Sequence, residues 1–109
     1  MKKNLAVKET FNRAFQNHQK NNLKIAENLY KEILKTKPNH FESIFYLGAL
    51  LAQTKRFNLA KQLFKKAVLI QPNYAEAHNN LGTVLKELEE HEEAASCCEK
   101  AIQIQPNYA

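Results

Sequence analysis

An all-α stack of helix pairs is the fold class this sequence predicts, and three observations carry it. Residues 41–74 and 75–108 align without a gap, and Leu47/Leu81, Gly48/Gly82, Leu51/Leu85, Ala60/Ala94, Ala67/Ala101 and Pro72/Pro106 coincide. Residues 7–40 fit the same frame less closely, with Ala14, Ala26 and Pro38 in register. A fixed period of this size marks stacked supersecondary units, each needing its neighbour to bury its apolar face. Within a unit the apolar spacing is helical. Ile44, Leu47, Gly48 and Leu51 line one face, and Ala60, Leu63, Phe64, Ala67, Val68 and Ile70 line another.

The elements follow in order. Residues 1–6 are a short lead-in, expected to fray. The first pair is a helix over about 7–19, a turn at Lys20-Asn21-Asn22 and a helix over about 23–36, with Asn21 or Asn22 offering its side chain as a cap. The second and third pairs cover about 41–53 and 57–70, then 75–87 and 91–104. Thr54-Lys55-Arg56 is long enough only for a tight turn. Pro38, Pro72 and Pro106 each stop a second helix, because proline lacks the amide donor and moves the preceding residue out of the helical region. Asn39 and Asn73 then turn the chain into the next pair. Gly48 and Gly82 fall mid-helix, where glycine costs about 1 kcal/mol against alanine. That repeated cost implies a close approach between paired helices, with Ala60 and Ala94 expected as the small partners.

Composition narrows the function. The chain has 109 residues, 44% of them hydrophobic, which suits one small folded domain over 1–109 with repeats 7–40, 41–74 and 75–108. No apolar run approaches a membrane span, and no signal-peptide core follows Met1-Lys2-Lys3, so a cytoplasmic location is expected. Tyr108-Ala109 repeats Tyr74-Ala75, as though a further unit should begin, which suggests a fragment of a longer chain. Cys97 and Cys98 are adjacent on one helix and point apart, so no intrachain disulfide is expected; Cys98 is read as a buried small hydrophobe and Cys97 as more exposed.

Catalysis finds no support, and no enzyme activity is expected. The chain contains no Asp and no glycine-rich phosphate loop, and His18, His40, His78 and His91 have no metal-ligand spacing. Glu89 and Glu93 are neighbours on a helix surface rather than an acid/base pair. No cofactor or metal is expected.

Leu-Gly early in the first helix, alanines at two fixed places in the second and a closing proline together resemble the tetratricopeptide repeat (TPR). Residues 41–74 and 75–108 carry the pattern; residues 7–40 depart from it, with Arg13-Ala14 for Leu-Gly, Asn17 for an apolar residue and Ile33 for alanine. The resemblance implies a right-handed alpha-alpha superhelix of three antiparallel helix pairs, a TPR solenoid whose first helices line a concave groove. Carried over by position, the groove residues are Phe11, Asn12, Phe15, Phe45, Tyr46, Ala49, Gln53, Asn79, Asn80, Thr83 and Lys86. Asn12 and Asn80 are similar to the asparagine ladder in the TPR arm of O-linked sugar transferases, and Tyr46 interrupts it. The basic carboxylate clamp of chaperone-binding TPR domains has no counterpart, since its places hold Phe11, Glu76 and Asn80.

The expected function is therefore a protein-interaction scaffold. Aromatic rings offer apolar area, and asparagine amides hold a peptide backbone or partner helix. Phe11, Phe15 and Phe45 also suit plain packing between helices. In a TPR stack each second helix packs on the next first helix, so Ala94, Ala95, Cys98, Ile102 and Ile104 are expected to be exposed and to favour self-association. About 200–300 Å² of apolar surface there corresponds to about 5–7 kcal/mol before association costs. Charge adds to this. Residues 1–40 carry nine Lys/Arg and three Glu, net +6; residues 41–74 are net +4; residues 75–109 carry two Lys and seven Glu, net −5. Head-to-tail attraction follows at low salt, screened above about 0.1 M, unless both runs are solvated faces. The alternatives are a docking arm of a larger sugar or sulfate transferase and nonspecific nucleic-acid binding by the basic half. Lysines dispersed over the second helices and an acidic third repeat argue against nucleic acid.

Overall fold

The computed structural model describes the backbone of residues 2–107 and the side chains of residues 6–107. It holds six helices: α1 (Lys2–Gln19), α2 (Leu23–Thr36), α3 (Phe41–Gln53), α4 (Phe57–Ile70), α5 (Ala75–Glu87) and α6 (His91–Ile104). No strand occurs among the described residues. Consecutive helices pack on one another down the chain, and α1 also touches α3 while α3 touches α5. The result is an all-α solenoid in which the first helices form one layer and the second helices the other. Tyr108 and Ala109 lie outside the described residues.

Five helices have the bounds that the periodicity predicts. The exception is α1, which starts at Lys2 rather than near residue 7. Residues 2–6 include no proline or glycine to stop helix propagating backwards, whereas Pro38 and Pro72 block the equivalent turns before α3 and α5.

The turns have one design each. Between pairs, His40 N–H donates to Lys37 O at 3.1 Å, and Tyr74 N–H donates to Gln71 O at 3.2 Å. These close β-turns with proline second and asparagine third, which suit those places. Within pairs, Asn21, Lys55 and Glu89 take positive φ of 66°, 65° and 62°. The amide after each, at Asn22, Arg56 and Glu90, reaches back to Asn17, Leu51 and Leu85 O at 2.8 Å. This is the Schellman arrangement, usually built on glycine. Lys55 and Glu89 hold it at a steric cost of roughly 1 kcal/mol each. Asn22 does precede α2, but it makes no side-chain cap; its Nδ2 donates to Asn17 Oδ1 at 3.2 Å instead. A cap that the sequence did not announce stands at α3, where His40 Nδ1 accepts from Ser43 N at 3.3 Å and from Ser43 Oγ at 2.7 Å.

Small residues set how closely the helices approach. Ala14, Ala26, Ala60, Ala67 and Ala77 are fully buried, and Tyr30, Phe64, Ile44, Leu50 and Leu85 fill the core between them. The partner of Gly48 is the Phe64 ring rather than Ala60: a Cβ at residue 48 would stand 3.0 Å from Phe64 Cε1. At Gly82 a Cβ would stand 3.1 Å from Cys98 Sγ and 3.2 Å from Ala94 O. Both cysteines are half-buried and free, so the expected division into a buried Cys98 and an exposed Cys97 is corrected; Cys97 packs against the core. Burial raises the Cys97 thiol above its ordinary value, and Cys98 and Glu93 add to this, so it stays a protonated thiol at neutral pH.

Ion pairs stitch the outer layer. Arg56 Nη2 and Nη1 grip Glu27 at 2.6 and 3.0 Å, and Lys31 reaches the same carboxylate at 2.7 Å. Lys61 meets Glu90 at 3.1 Å, Lys65 meets Glu93 at 3.7 Å, and Lys66 donates to Pro38 O at 2.8 Å. The Arg56 hydrogen bonds lower the Glu27 pKa to about 2, with Lys31 helping and burial opposing. A depressed carboxylate contributes stability above its unfolded value of about 4.5 and loses it as pH falls towards 2. The Glu27→Gln variant is expected to be about 1 kcal/mol less stable than wild type at pH 7, a modest figure because Arg56 is exposed. In urea unfolding that gap closes between pH 4.5 and 2; a gap that stays constant with pH would refute the ion-pair account.

Candidate functional site

The inner layer of α1, α3 and α5 presents a row of residues that helical geometry sets three and four apart. On α1 these are Phe11, Asn12 and Phe15. Phe11 and Phe15 are half-buried and stacked at 6.1 Å, and Asn12 is exposed. On α3, Tyr46 and Ala49 are half-buried and Gln53 is exposed. On α5, Asn79 and Asn80 are half-buried, and Thr83 and Lys86 are exposed. Phe45 is not part of this surface. It is 3% exposed and sits in the core, its ring 5.9 Å from Phe64 and 5.4 Å from Tyr74. The reason is angular: Phe45 lies one residue from Ile44 and faces α4, while Tyr46 turns towards α1.

The two halves of the face differ. Between α1 and α3 the protein fills the space itself. The Phe15 ring stands edge-on to Tyr46 at 5.1 Å, and Phe11 contacts Tyr46 at 6.0 Å and His40 at 5.7 Å. Such ring pairs add about 0.5–1.5 kcal/mol beyond their buried area. His18 closes the far side. Its Nδ1 meets the Tyr30 hydroxyl at 3.1 Å, and its Nε2 meets Gln53 Oε1 at 3.2 Å. One neutral tautomer satisfies both, with Tyr30 donating to Nδ1 and Nε2–H donating to Gln53. Burial raises the Tyr30 pKa, so the hydroxyl keeps its proton. Gln53 belongs to the expected face, whereas His18 carries no sequence signal beyond its place one helical turn from Phe15 and Ala14.

Between α3 and α5 the surface opens. A pocket of about 210 Å³ is lined by Ala49, Ala52, Phe64, Asn80, Thr83 and Val84. The expected groove residues Ala49, Asn80 and Thr83 meet here. The carboxamides of Asn12, Asn79 and Asn80 make no protein hydrogen bond among the described residues. Thr83 Oγ1 donates to Asn79 O at 3.1 Å. No group of three metal-ligating side chains is found among the described residues. No described helix is long and apolar enough to cross a membrane.

At the other end of the stack, α2 lies against α3 and α4 against α5, while α6 contacts α5 alone. Ile102 is 50% exposed, Ala95 is exposed, and Cys98 and Ile104 are half-buried. Ala94 does not belong with them. It is 1% exposed and turned inwards, its carbonyl beneath Gly82.

Sequence profiles described as tetratricopeptide repeat match residues 75–108 and residues 18–81. No curated protein sequence matches the chain. Among solved structures, a variant of the Thermobaculum terrenum O-GlcNAc transferase superposes with a TM-score of 0.92 at 24% identity, over 99% of this chain and 21% of its own. A MamA chain from Desulfovibrio magneticus RS-1 gives 0.89 at 24% identity, over 94% of this chain and 58% of its own. Another MamA crystal structure gives 0.89 at 25% identity, over 94% and 56%. The chain thus spans 21% of the transferase and 56–58% of these MamA chains.

Tyr30 is fully buried, and His18 is the partner of its hydroxyl. His18→Ala is expected to cost about 1–3 kcal/mol by leaving that hydroxyl unpaired. Tyr30→Phe in the same background should recover part of the loss, because no polar atom is then stranded. Thermal unfolding of the two single variants and the double variant measures this cycle; simple additivity would refute the pairing.

Proposed function

The chain belongs to the tetratricopeptide repeat family, and from that membership we propose that it is a non-catalytic scaffold whose inner face binds an extended peptide segment of a partner protein. The observation that carries this is the open pocket between α3 and α5, bordered by a half-buried asparagine whose carboxamide has no hydrogen-bond partner among the described residues. A carboxamide offers a donor and an acceptor side by side, matching the N–H and C=O of one peptide unit. Asn12, Asn79 and Asn80 repeat that offer along the face. Lys86 is the only side chain among the face residues that is charged at neutral pH, so binding rests on apolar and amide contacts rather than on charge. The cations Lys31, Arg56, Lys61 and Lys65 are engaged in ion pairs on the outer layer, which favours peptide over nucleic acid. A docking-arm role within a longer transferase rests on a likeness of fold at 24% identity.

A displayed peptide library selects ligands for titration calorimetry and NMR mapping. Asn80→Ala is expected to weaken a selected peptide about tenfold, through two lost hydrogen bonds of about 1 kcal/mol each offset in part by water. Affinity should change little between about 0.05 and 0.5 M salt. Ligands that map to α2, α4 and α6, or that bind with steep salt dependence, would overturn the reading.

A second reading, self-association through α6, is favoured by the helix's unmatched outer face and the half-exposed Ile102. The basic first repeat and acidic third repeat suit a second copy arranged head to tail. Light-scattering mass across protein concentration and salt tests it. An apolar contact gives a dimer that survives about 0.5 M salt and is lost in Ile102→Lys; a monomer throughout sinks the reading.

A further inference from the structure

The repeat itself shows what the α3–α5 pocket is shaped to hold. The six lining residues Ala49, Ala52, Phe64, Asn80, Thr83 and Val84 correspond, one period earlier, to Phe15, His18, Tyr30, Tyr46, Ala49 and Leu50. The backbone frame is shared, so the two inter-repeat spaces differ by their side chains. In the first space, the Phe15 ring crosses from α1 to stand edge-on to Tyr46 at 5.1 Å, and His18 bonds Tyr30 beside it at 3.1 Å. In the second, Ala49 replaces Phe15, Ala52 replaces His18 and Asn80 replaces Tyr46. The pocket is the room that those rings would take up.

We propose that this pocket receives one aromatic side chain of the bound peptide, seated where Phe15 sits in the first space, with Asn80 holding the adjoining peptide unit. The inference rests on the peptide-binding reading and specifies its ligand. Size agrees: a dry cavity of about 150 Å³ accepts benzene, and this one measures about 210 Å³ and is open to solvent. Chemistry agrees as well. None of the six lining side chains is ionisable, so a charged residue would lose its hydration without a counter-charge. The buried Phe64 ring lines the pocket at the place of Tyr30, whose ring in the first space meets those of Phe11 and His18. Asn80 is half-buried with an unengaged carboxamide at the rim, where the ligand backbone must pass. Polarity is thus placed at the mouth and apolar surface at the base.

The test uses the 109-residue chain and acetyl-Gly-Xaa-Gly amides with Xaa as Phe, Leu, Ala or Glu, followed by ¹H–¹⁵N NMR. The Phe peptide is expected to give saturable shifts at Ala49, Ala52, Asn80, Thr83 and Val84, and to bind about tenfold or more tighter than the Ala peptide. The Glu peptide should bind most weakly. Ala49→Phe rebuilds the plug of the first space and should abolish the Phe preference while circular dichroism and melting temperature hold. Equal affinity for Phe and Ala, shifts centred elsewhere, or unchanged Phe binding by folded Ala49→Phe would overturn the proposal. Concentration-dependent shifts at the same residues without peptide would also overturn it, by making a second copy the occupant. Should Ala49→Phe fail to fold, the Phe-to-Ala comparison on wild type still decides. A library-selected peptide that binds along α1, α3 and α5 with no aromatic requirement leaves the groove reading standing and removes only this one. If no peptide binds that face, the groove reading falls too.

Discussion

Close approach of the two helices in each pair is the constraint on which the other features depend. Backbones can come this near only where side chains are small, and Ala26, Ala60 and Ala94 mark that place in the three second helices, each at most 1% exposed. Gly48 and Gly82 mark it in the facing first helices, and what fills the space opposite decides how each pair is built. At Gly48 it is an aromatic ring, Phe64, which is locked in the core. At Gly82 it is a half-buried thiol, Cys98, on a helix that contacts one neighbour. A methyl group at either site trades about 1 kcal/mol of helix propensity against overpacking of about 1–3 kcal/mol. The buried Phe64 ring opposes that methyl at Gly48, and the Ala94 backbone carbonyl opposes it beside Cys98 at Gly82, so the glycine is a packing requirement in both pairs.

From that geometry follows the uneven inner face. With helix spacing set by the alanine and glycine seam, each space between first helices has a similar frame, and the side chains decide whether it is full. Phe11, Phe15, Tyr46 and His18 fill the first, so that face is a wall of rings held by its own contacts. The residues at the second are alanine, asparagine and threonine, and space remains. The aromatic residues of the first repeat thus serve as packing as well as surface. They compensate for a repeat that lacks the Leu-Gly pair and carries Ile33 where its successors carry alanine.

Much of this was legible in the sequence, because the signals were periodic. Proline stops, apolar spacing and the repeated Leu-Gly placed five of six helices to the residue. What escaped depended on direction or on a single side chain. Phe45 and Tyr46 are neighbours of similar character, and only the helix rotation sends one into the core and the other to the surface. Ala94 and Ala95 divide in the same way. Cys97 and Cys98 share the rim instead, since α6 has a neighbour on one side only. The start of α1 was missed because nothing in residues 2–6 stops a helix, and the absence of a stop is a weaker signal than its presence. The positive-φ residues Lys55 and Glu89 carry no glycine or asparagine signature, so only the backbone shows that they close Schellman turns.

The ion pairs bear on charge in a way that net values conceal. The third repeat is acidic overall, yet Glu90 and Glu93 already answer Lys61 and Lys65 within the chain. Only the remainder of that acidic run, Glu87, Glu89 and Glu92 among it, is left to act on other molecules. The lateral pairs also have direction. Glu27 on α2 meets Arg56 at the start of α4, and Lys61 on α4 meets Glu90 at the start of α6, so the sign reverses from one interface to the next. Glu27 and Lys61 occupy equivalent places one period apart, as do Arg56 and Glu90. Setting the first repeat directly beside the third would oppose Glu27 to Glu90, two like charges in the place where each native interface has a pair. Each exposed pair contributes about 1 kcal/mol or less, which is small against the buried seam. Their effect is local: the chain fixes the order of the repeats, and each pair adds a charge match to an interface that buried apolar side chains already hold.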